Sequence, residues 1–293
     1  MDKVEAGQPF WTPLKIIQWA VPFLGQKGIP HPRFDVETLI AHALGIDRLK
    51  VYLQFDRPLD AEELTRIREM LRRRSHFEPI QYITGLREFY GLPYKVSPAV
   101  LIPRPETELL VELAIGHLKT LPEEKRVVLD LGTGSGCIAL SIAKNIACQI
   151  WALDISPRAL EVARENAKNL KMESVQWREG DWFSALLPGD PQQFSLILSN
   201  PPYIALSEKD DLSPEVRDFE PFEALFSGED GLSAYQYLAD NLENRLLTGG
   251  LALFELQANR RDNICSLFSG TTWSQTLYPD LQGLPRVLKL NTK

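Results

Sequence analysis

A short apolar strand pattern and the glycine-rich loop after it decide the fold of this chain: Val128-Leu129-Asp130-Leu131-Gly132-Thr133-Gly134-Ser135-Gly136. The strand begins at Arg126, and the segment from Cys137 to Ala147 has the pattern of a helix. Glycine tolerates backbone conformations that other residues avoid, so the loop can turn tightly and approach a ligand closely. A dinucleotide-binding loop would place its third glycine at position 137, where this chain has a cysteine. The spacing therefore disfavours a nicotinamide-dependent dehydrogenase.

The same alternation of strand and helix continues along the chain. The predicted strands cover Gln149 to Asp154, Val175 to Trp177, Phe194 to Leu198 and Leu251 to Leu256, and further helices cover Pro157 to Leu170 and Leu232 to Leu247. Apolar strands that alternate with helices predict a doubly wound, mostly parallel α/β sheet of the Rossmann-like type.

The loops after the first three strands carry a predicted cofactor site. The G-x-G-x-G spacing, with Asp130 two residues before the first glycine, is the form that S-adenosylmethionine (AdoMet) methyltransferases use. Asp154 ends the second strand, where its carboxylate can accept hydrogen bonds from both hydroxyls of a ribose. A polar and an aromatic residue after the third strand can bond to and stack on adenine, although a core tryptophan is the alternative interpretation. We expect the cofactor to be bound by Gly132, Thr133, Gly134, Ser135, Gly136, Asp154, Asp181 and Trp182.

A second informative loop, Asn200-Pro201-Pro202-Tyr203, ends the fourth strand. Its prolines fix the backbone and lack N–H donors, so the loop mainly offers carbonyl oxygens. The Asn200 amide oxygen and a proline carbonyl can accept both hydrogens of one NH₂ group, and Tyr203 can stack on the planar group that carries it. Such acceptors orient a poorly nucleophilic nitrogen for methyl transfer without a strong base. We predict Asn200, Pro201 and Tyr203 as catalytic residues, and Asn200, Pro201, Pro202 and Tyr203 as the substrate site.

Residues 1–85 are predicted to form a separate helical domain that recognises a partner. One helix begins at Thr12-Pro13, and the others cover Phe34 to Leu44, Arg48 to Leu53 and the segment from near Asp60 through Arg74. Alternating aromatic and aliphatic residues predict a β-hairpin linker at 86–103, before a methyltransferase domain at 104–293. A basic cluster is either a solvated helix end or a docking patch for an acidic or RNA-linked partner: Arg66, Arg68, Arg72, Arg73 and Arg74.

The composition narrows the class of protein. The 293 residues are 44% hydrophobic and 24% charged, which predicts a packed core and excludes wholesale disorder. A net charge of −7 makes direct binding of nucleic acid an unfavoured role. Cys137, Cys148 and Cys265 are scattered and the histidines lack ligand spacing, so we expect reduced thiols and no metal site. Without a signal-type or membrane-length apolar run, we expect a soluble, cytoplasmic protein and no membrane association.

The Asn-Pro-Pro-Tyr motif resembles that of AdoMet-dependent methyltransferases that act on amino groups of adenine, cytosine or glutamine. A narrower resemblance, to the peptide chain release factor glutamine methyltransferases (the HemK/PrmC family), covers residues 77–293. It rests on Gln81 to Gly85, Phe89 to Gly91, Ile102 to Glu108, Glu220-Pro221, Ala224-Leu225, Gly228 and Asp230 to Leu232.

The resemblance implies a specific activity. The family methylates the side-chain amide nitrogen (N5) of the glutamine in the Gly-Gly-Gln motif of class 1 release factors. Family membership implies that Gly132 to Gly136, Asp154, Trp182 and Asn200 contact AdoMet, from which S-adenosylhomocysteine is the product. It also implies that Asn200 to Tyr203 hold the target glutamine.

Other functions share parts of this pattern. The Asn-Pro-Pro-Tyr chemistry also suits an N6-adenine or N4-cytosine nucleic-acid methyltransferase, against which the acidic composition argues. A glutamine methyltransferase of a ribosomal protein is a related alternative, and an AdoMet-binding regulator is a non-enzymatic one. Our expectation is a monomeric enzyme whose partner is a class 1 release factor.

Overall fold

A computed structural model describes residues 10–270 and 272–292 of the chain. Contacts divide the protein into two compact units, one that ends at Gly85 and one that begins at Leu86. Every helix in the described ranges is too short or too polar to span a lipid bilayer.

The first unit is helical over its described residues. Its helices are α1 (Pro13–Gln26), α2 (Pro32–Leu44), α3 (Arg48–Tyr52), α4 (Ala61–Arg74) and α5 (Ile80–Thr84). The predicted helices are confirmed, and the capping residues act as expected. Thr12 accepts a hydrogen bond from the backbone N–H of Lys15, Gly45 ends α2 in the left-handed conformation, and Asp60 forms a capping box with Glu63.

The second unit contains a seven-stranded sheet, which confirms the predicted α/β class. The strands are β3 (Val127–Leu131), β4 (Gln149–Asp154), β5 (Gln176–Glu179), β6 (Phe194–Ser199), β7 (Leu246–Glu255), β8 (Trp273–Pro279) and β9 (Pro285–Thr292). The strand order is β5-β4-β3-β6-β7-β9-β8, in which the first five strands are parallel to one another and β9 is antiparallel to both of its neighbours, β7 and β8.

The helices of this unit are α6 (Glu108–Leu118), α7 (Cys137–Asn145), α8 (Pro157–Leu170), α9 (Pro214–Phe219), α10 (Phe222–Leu225), α11 (Ser233–Asn241) and α12 (Arg261–Leu267). Residues of α6, α7 and α8 pack on one face of the sheet, and residues of α11 and α12 pack on the other. Successive strand residues point to opposite faces. Val128 therefore packs in one core cluster with residues of α6 and α7, and Leu129 packs in a second cluster with residues of α11 and α12.

The sequence patterns failed in the C-terminal third of the sheet. The helix predicted to reach Leu247 ends at Asn241, because Leu246 pairs with Phe194 and begins β7. The last two strands were not predicted at all. They are antiparallel and partly exposed, so they lack the continuous apolar run that identified the parallel strands.

The predicted hairpin is confirmed as β1 (Leu86–Phe89) and β2 (Leu92–Lys95). Its aromatic side chains are part of the core of the second unit. Phe89 and Tyr94 are fully buried in the cluster that contains α6 and α7, and the Tyr94 hydroxyl lies 2.8 Å from Ser141 Oγ. Asn166 of α8 fixes the end of the hairpin by accepting from the backbone N–H of Lys95 at 2.7 Å.

Candidate active site

A cavity of about 580 Å³ lies at the carboxyl ends of β3, β4 and β6 in the second unit. This is the edge where parallel sheets bind ligands, and the volume lies in the range of small-molecule sites. Most of the predicted site residues line it: Gly132, Thr133, Gly134, Ser135, Asp154, Asp181, Trp182, Asn200 and Pro202.

The glycine loop connects β3 to α7 in a conformation that requires glycine. Gly132, Gly134 and Gly136 have φ values of 70°, 56° and 78°, all in the left-handed region. The first two line the cavity, and a Cβ added at either would meet no atom within 4 Å. Gly136 has a different role, because a Cβ there would lie 3.1 Å from the Trp177 ring. It packs the loop against the core and does not form part of the cavity wall.

Asp154 joins the glycine loop to the end of β4. Its Oδ2 accepts the backbone N–H of Gly134 at 2.8 Å, and its Oδ1 accepts that of Ser156 at 2.9 Å. Burial raises the pKa of this carboxyl, and the two N–H donors oppose the shift by stabilising the ionised form. Each carboxylate oxygen has a further lone pair with which it can accept a ligand hydroxyl.

Below this loop, Asp130 forms a buried support. It is fully buried in β3 and accepts the Thr133 hydroxyl at 2.6 Å. Burial raises the pKa of Asp130 to about 7. The acid that precedes the glycines thus holds the loop from beneath, out of contact with solvent.

Aromatic and aliphatic side chains form an apolar wall beside Asp154. Trp182 stacks on Tyr237 with ring centroids 5.8 Å apart, and both line the cavity. Ile155 and Phe222 also line it and are half exposed. The sequence analysis singled out Trp182 but missed the other three. The available sequence signal was Ile155, an apolar residue in the loop directly after the strand that ends at Asp154.

The Asn200 loop brings a polar group to the opposite side of the cavity. Ser199 anchors it by donating from Oγ to the Leu131 carbonyl at 2.7 Å, which joins β6 to β3. Asn200 donates from Nδ2 to Thr107 Oγ1 at 3.3 Å. Pro202 lines the cavity, whereas Pro201 is buried and Tyr203 packs partly against the core cluster of α11.

Tyr203 directly follows Pro202, which lines the cavity, and its hydroxyl lies in an electrostatically mixed environment. Burial raises the pKa of its hydroxyl to about 12. Within this net shift, Glu255 also acts to raise the pKa, and Arg104 and Arg286 act to lower it. The phenol is therefore neutral at physiological pH and is unsuited to act as a base.

Several segments that carried the family resemblance pack around the Asn200 loop. Ile204 pairs with Phe226, and its N–H donates to the Leu225 carbonyl at 3.0 Å. Arg260 donates to Glu208 at 2.6 Å and to the backbone carbonyl of Asp230. The chain between Glu220 and Leu232 therefore holds the loop in place.

The segment from Ile102 to Glu108 contributes residues to the cavity wall. The spacing of residues along the sequence could not predict this position. Pro103, Arg104 and Thr107 line the cavity. Arg104 pairs with the buried Glu220 at 2.6 Å. Thr107 is buried, and its side chain lies near the Glu255 carboxylate at the end of β7 and acts to lower the pKa of that acid. Burial raises the pKa of Glu255 to about 7, and the sequence analysis missed this acid.

The thiols take no part in the cavity chemistry that the geometry suggests. Cys137 opens α7 at the cavity wall, but burial raises the pKa of its thiol to about 12. It is therefore a packing residue. Over residues 10–270 and 272–292, no group of three or more His, Cys, Asp or Glu is arranged to hold a metal ion.

Both units match known families. Residues 15–85 match the family model described as the PrmC N-terminal domain, and residues 107–214 match the methyltransferase small domain. A release factor glutamine methyltransferase of Koribacter versatilis is 43% identical over 271 residues, which cover 92% of this chain and 94% of that protein. One of Geobacter sulfurreducens is 40% identical over 280 residues, covering 95% and 96%.

Solved structures agree on the fold. A methyltransferase from Pyrococcus furiosus aligns with a TM-score of 0.50 at 19% identity, covering 69% of this chain and 90% of that one. This likeness supports the architecture, and the sequence relatives identify the family. With matched identities of 40% or more over nearly the whole chain, the protein belongs to the family of release factor glutamine methyltransferases.

Proposed function

We propose that this enzyme transfers the methyl group of AdoMet to the side-chain amide nitrogen of the glutamine in the Gly-Gly-Gln motif of class 1 release factors. One observation carries the proposal. The Asn200 carboxamide lies in the same cavity as the glycine loop and Asp154, so an amide acceptor and a nucleoside site share one space.

The residues of the cavity fit AdoMet. The side-chain-free surface at Gly132 and Gly134 allows a ligand to contact the backbone, and Asp154 is held by two N–H donors with lone pairs free for ribose hydroxyls. Trp182 and Ile155 offer apolar surface to a planar base. When bound, AdoMet supplies a methyl group on a positively charged sulfur.

The target side of the cavity orients a weak nucleophile. The lone pair of an amide nitrogen is delocalised, so its position matters more than the strength of a base. We infer that the Asn200 oxygen and a proline carbonyl accept its two hydrogens, and that Tyr203 contacts the flat amide group. Acceptors fixed in this way also stabilise positive charge as it develops on the nitrogen.

We place recognition of the release factor in the helical unit that ends at Gly85, and propose that the enzyme acts as a cytoplasmic monomer. The arginine cluster of α4 offers limited support for charge-driven docking. Most of its members already pair with carboxylates: Arg66 with Glu62, Arg72 with Glu69, Arg73 with Glu78 and Arg74 with Asp35. These pairs favour the interpretation as a solvated helix end.

The decisive experiment is methyl transfer from labelled AdoMet to an intact class 1 release factor. The same factor with Gln→Ala in its Gly-Gly-Gln motif, a ribosomal protein preparation and unmethylated duplex DNA serve as the comparison substrates. We expect label on the wild-type factor alone. Label on DNA or on a ribosomal protein would retain the site chemistry and overturn the substrate.

A further inference from the structure

The backbone of Trp182, a residue of the cavity wall, has a conformation that bulky residues rarely adopt. Its φ is 46°, in the left-handed region, where the Cβ atom of an L-residue is crowded by its own backbone. A residue stays in such a conformation only when the surrounding structure fixes it. The contacts that fix Trp182 therefore bear on the function of its ring.

Backbone hydrogen bonds hold the loop after β5 on both sides of Trp182. The Gly180 N–H donates to the Asp154 carbonyl at 3.0 Å, which joins the loop to the end of β4. The Ser184 N–H donates to the Asp181 carbonyl at 3.0 Å and closes the turn. These contacts determine the course of the backbone, but they do not involve the indole ring.

The contact with the ring comes from Tyr237 of α11. The two rings stack with centroids 5.8 Å apart and planes at 27°. Tyr237 also stacks on Phe183, at 6.2 Å and 21°, and Phe183 is buried. The helix itself is anchored by Tyr235 and Leu238, which are fully buried. Tyr237 therefore connects the Trp182 ring at the cavity wall to the packed core.

A fixed ring binds a flat ligand better than a mobile one. Stacked rings attract each other beyond the apolar area that they bury, and the gain depends on their relative orientation. A side chain that is free before binding loses that freedom on a ligand, whereas one that is already held does not. Trp182 lines the same cavity as Asp154, the acid that we assign to the ribose. Its indole face is therefore a surface on which the adenine attached to that ribose can pack.

We propose that Tyr237 is a positioning residue for the adenine of AdoMet, because it holds the Trp182 ring in place as the wall on which the base packs. The inference rests on the proposed use of the cavity for AdoMet. Tyr237 has no part in the methyl transfer itself. Its substitution should therefore change the affinity for the cofactor and not the rate once the cofactor is bound.

Calorimetric titration of full-length Tyr237→Leu with S-adenosylhomocysteine tests the proposal. Leucine remains apolar but removes the ring, so Trp182 loses its stacking partner. We expect the dissociation constant to rise by about 2- to 12-fold, which corresponds to one aromatic contact. Tyr237→Phe, which keeps the ring, should bind as tightly as the wild type. In transfer assays, Tyr237→Leu should raise KM for AdoMet by a similar factor and leave kcat at saturating AdoMet unchanged.

A double variant separates action through Trp182 from a direct contact between Tyr237 and the ligand. In a Trp182→Leu background, Tyr237→Leu should not weaken binding further, because the ring that Tyr237 holds is already absent. Losses that multiply would show that Tyr237 acts independently and would overturn the positioning role. Tyr278→Leu is the matched control, since this tyrosine of β8 is also partly buried but does not line the cavity. It should leave the dissociation constant unchanged, whatever its effect on the melting temperature.

The outcomes distinguish this inference from the function on which it rests. A wild-type enzyme that binds S-adenosylhomocysteine but methylates no release factor would overturn the proposed substrate and leave the role of Tyr237 intact. Failure of the wild type to bind the nucleoside would overturn both. An unchanged dissociation constant in folded Tyr237→Leu would overturn the positioning role alone, and so would an equal loss in Tyr237→Phe. If the leucine variant does not fold, Tyr237→Met, which also lacks a ring, decides the question.

Discussion

The two ends of the cavity are held by different parts of the chain. At the cofactor end, backbone N–H groups of Gly134 and Ser156 hold the Asp154 carboxylate, and the glycine loop presents backbone to the ligand. At the target end, Asn200 is held by the side chain of Thr107. Backbone geometry survives most single substitutions, whereas a contact between two side chains is lost when either one is removed. The comparison therefore predicts that substitutions divide into binding defects at one end and rate defects at the other.

Asn200→Ala should cause the largest loss of kcat, which would assign this residue to the target end of the cavity. Removal of a fixed group that stabilises developing charge lowers kcat by about 100- to 1000-fold. Steady-state transfer to the release factor measures the rate, and calorimetry with AdoMet tests whether the nucleoside end remains intact. Asn145→Ala is a suitable control, since that amide only bonds the Ser141 carbonyl within α7. Full activity of Asn200→Ala would remove the residue from the mechanism.

Asp154→Ala should cause the largest loss of affinity for AdoMet, which would assign this residue to the cofactor end of the cavity. Hydrogen bonds to a charged group contribute about 1.5–3 kcal/mol each. The loss of one such bond to the ribose therefore predicts a dissociation constant higher by about 10- to 150-fold. Saturating AdoMet should restore much of kcat, which the Asn200 variant cannot achieve. A rate that stays low at saturation would show that the two ends are not separable.

The residue spacing was informative at the cofactor end and much less so at the target end. The glycines and Asp154 belong to consecutive loops of one strand–helix–strand repeat, so linear spacing predicts their proximity. Thr107 meets Asn200 only because β6 lies between β3 and β7 and because the segment before α6 folds over the strand ends. That juxtaposition depends on strand order, which no local pattern encodes. Gly136 illustrates the converse, since its motif position suggested ligand contact and its Cβ direction shows core packing.

The pH dependence of stability should separate Glu255 from an ordinary ion-paired acid. Burial raises the pKa of Glu255 to about 7, although Arg286 and Arg104 oppose the shift and Glu106 adds to it. The folded state then binds more protons than the unfolded state between about pH 4.3 and pH 7, so this carboxyl makes stability fall as pH rises through that window. Glu255→Gln should flatten the decline, as followed by urea unfolding at several pH values.

Asp190→Asn should change the pH dependence of stability in the opposite direction to Glu255→Gln. Arg178 holds the pKa of Asp190 far below its usual range through a bidentate pair. Its contribution to stability is present above about pH 3.9 and is lost as pH falls through the lower folded value. The asparagine variant should therefore lose stability near neutral pH, where the Glu255 variant gains it. The same slope in both variants would contradict the assigned burial of Glu255.

Tyr203→Phe should have the smallest effect on kcat. It tests whether the Tyr203 hydroxyl or only its ring acts at the target end. Its hydroxyl is neutral, with a pKa raised to about 12 by burial, and the ring alone can contact a planar amide. We expect the phenylalanine variant to retain most of its kcat and Tyr203→Leu, which removes the aromatic face, to raise KM for the release factor. A large loss in Tyr203→Phe would instead show that the hydroxyl, which feels the charges of Glu255, Arg104 and Arg286, takes part in holding the target amide. The target end would then depend on a second polar side chain besides Asn200, and its contrast with the backbone-held cofactor end would be stronger.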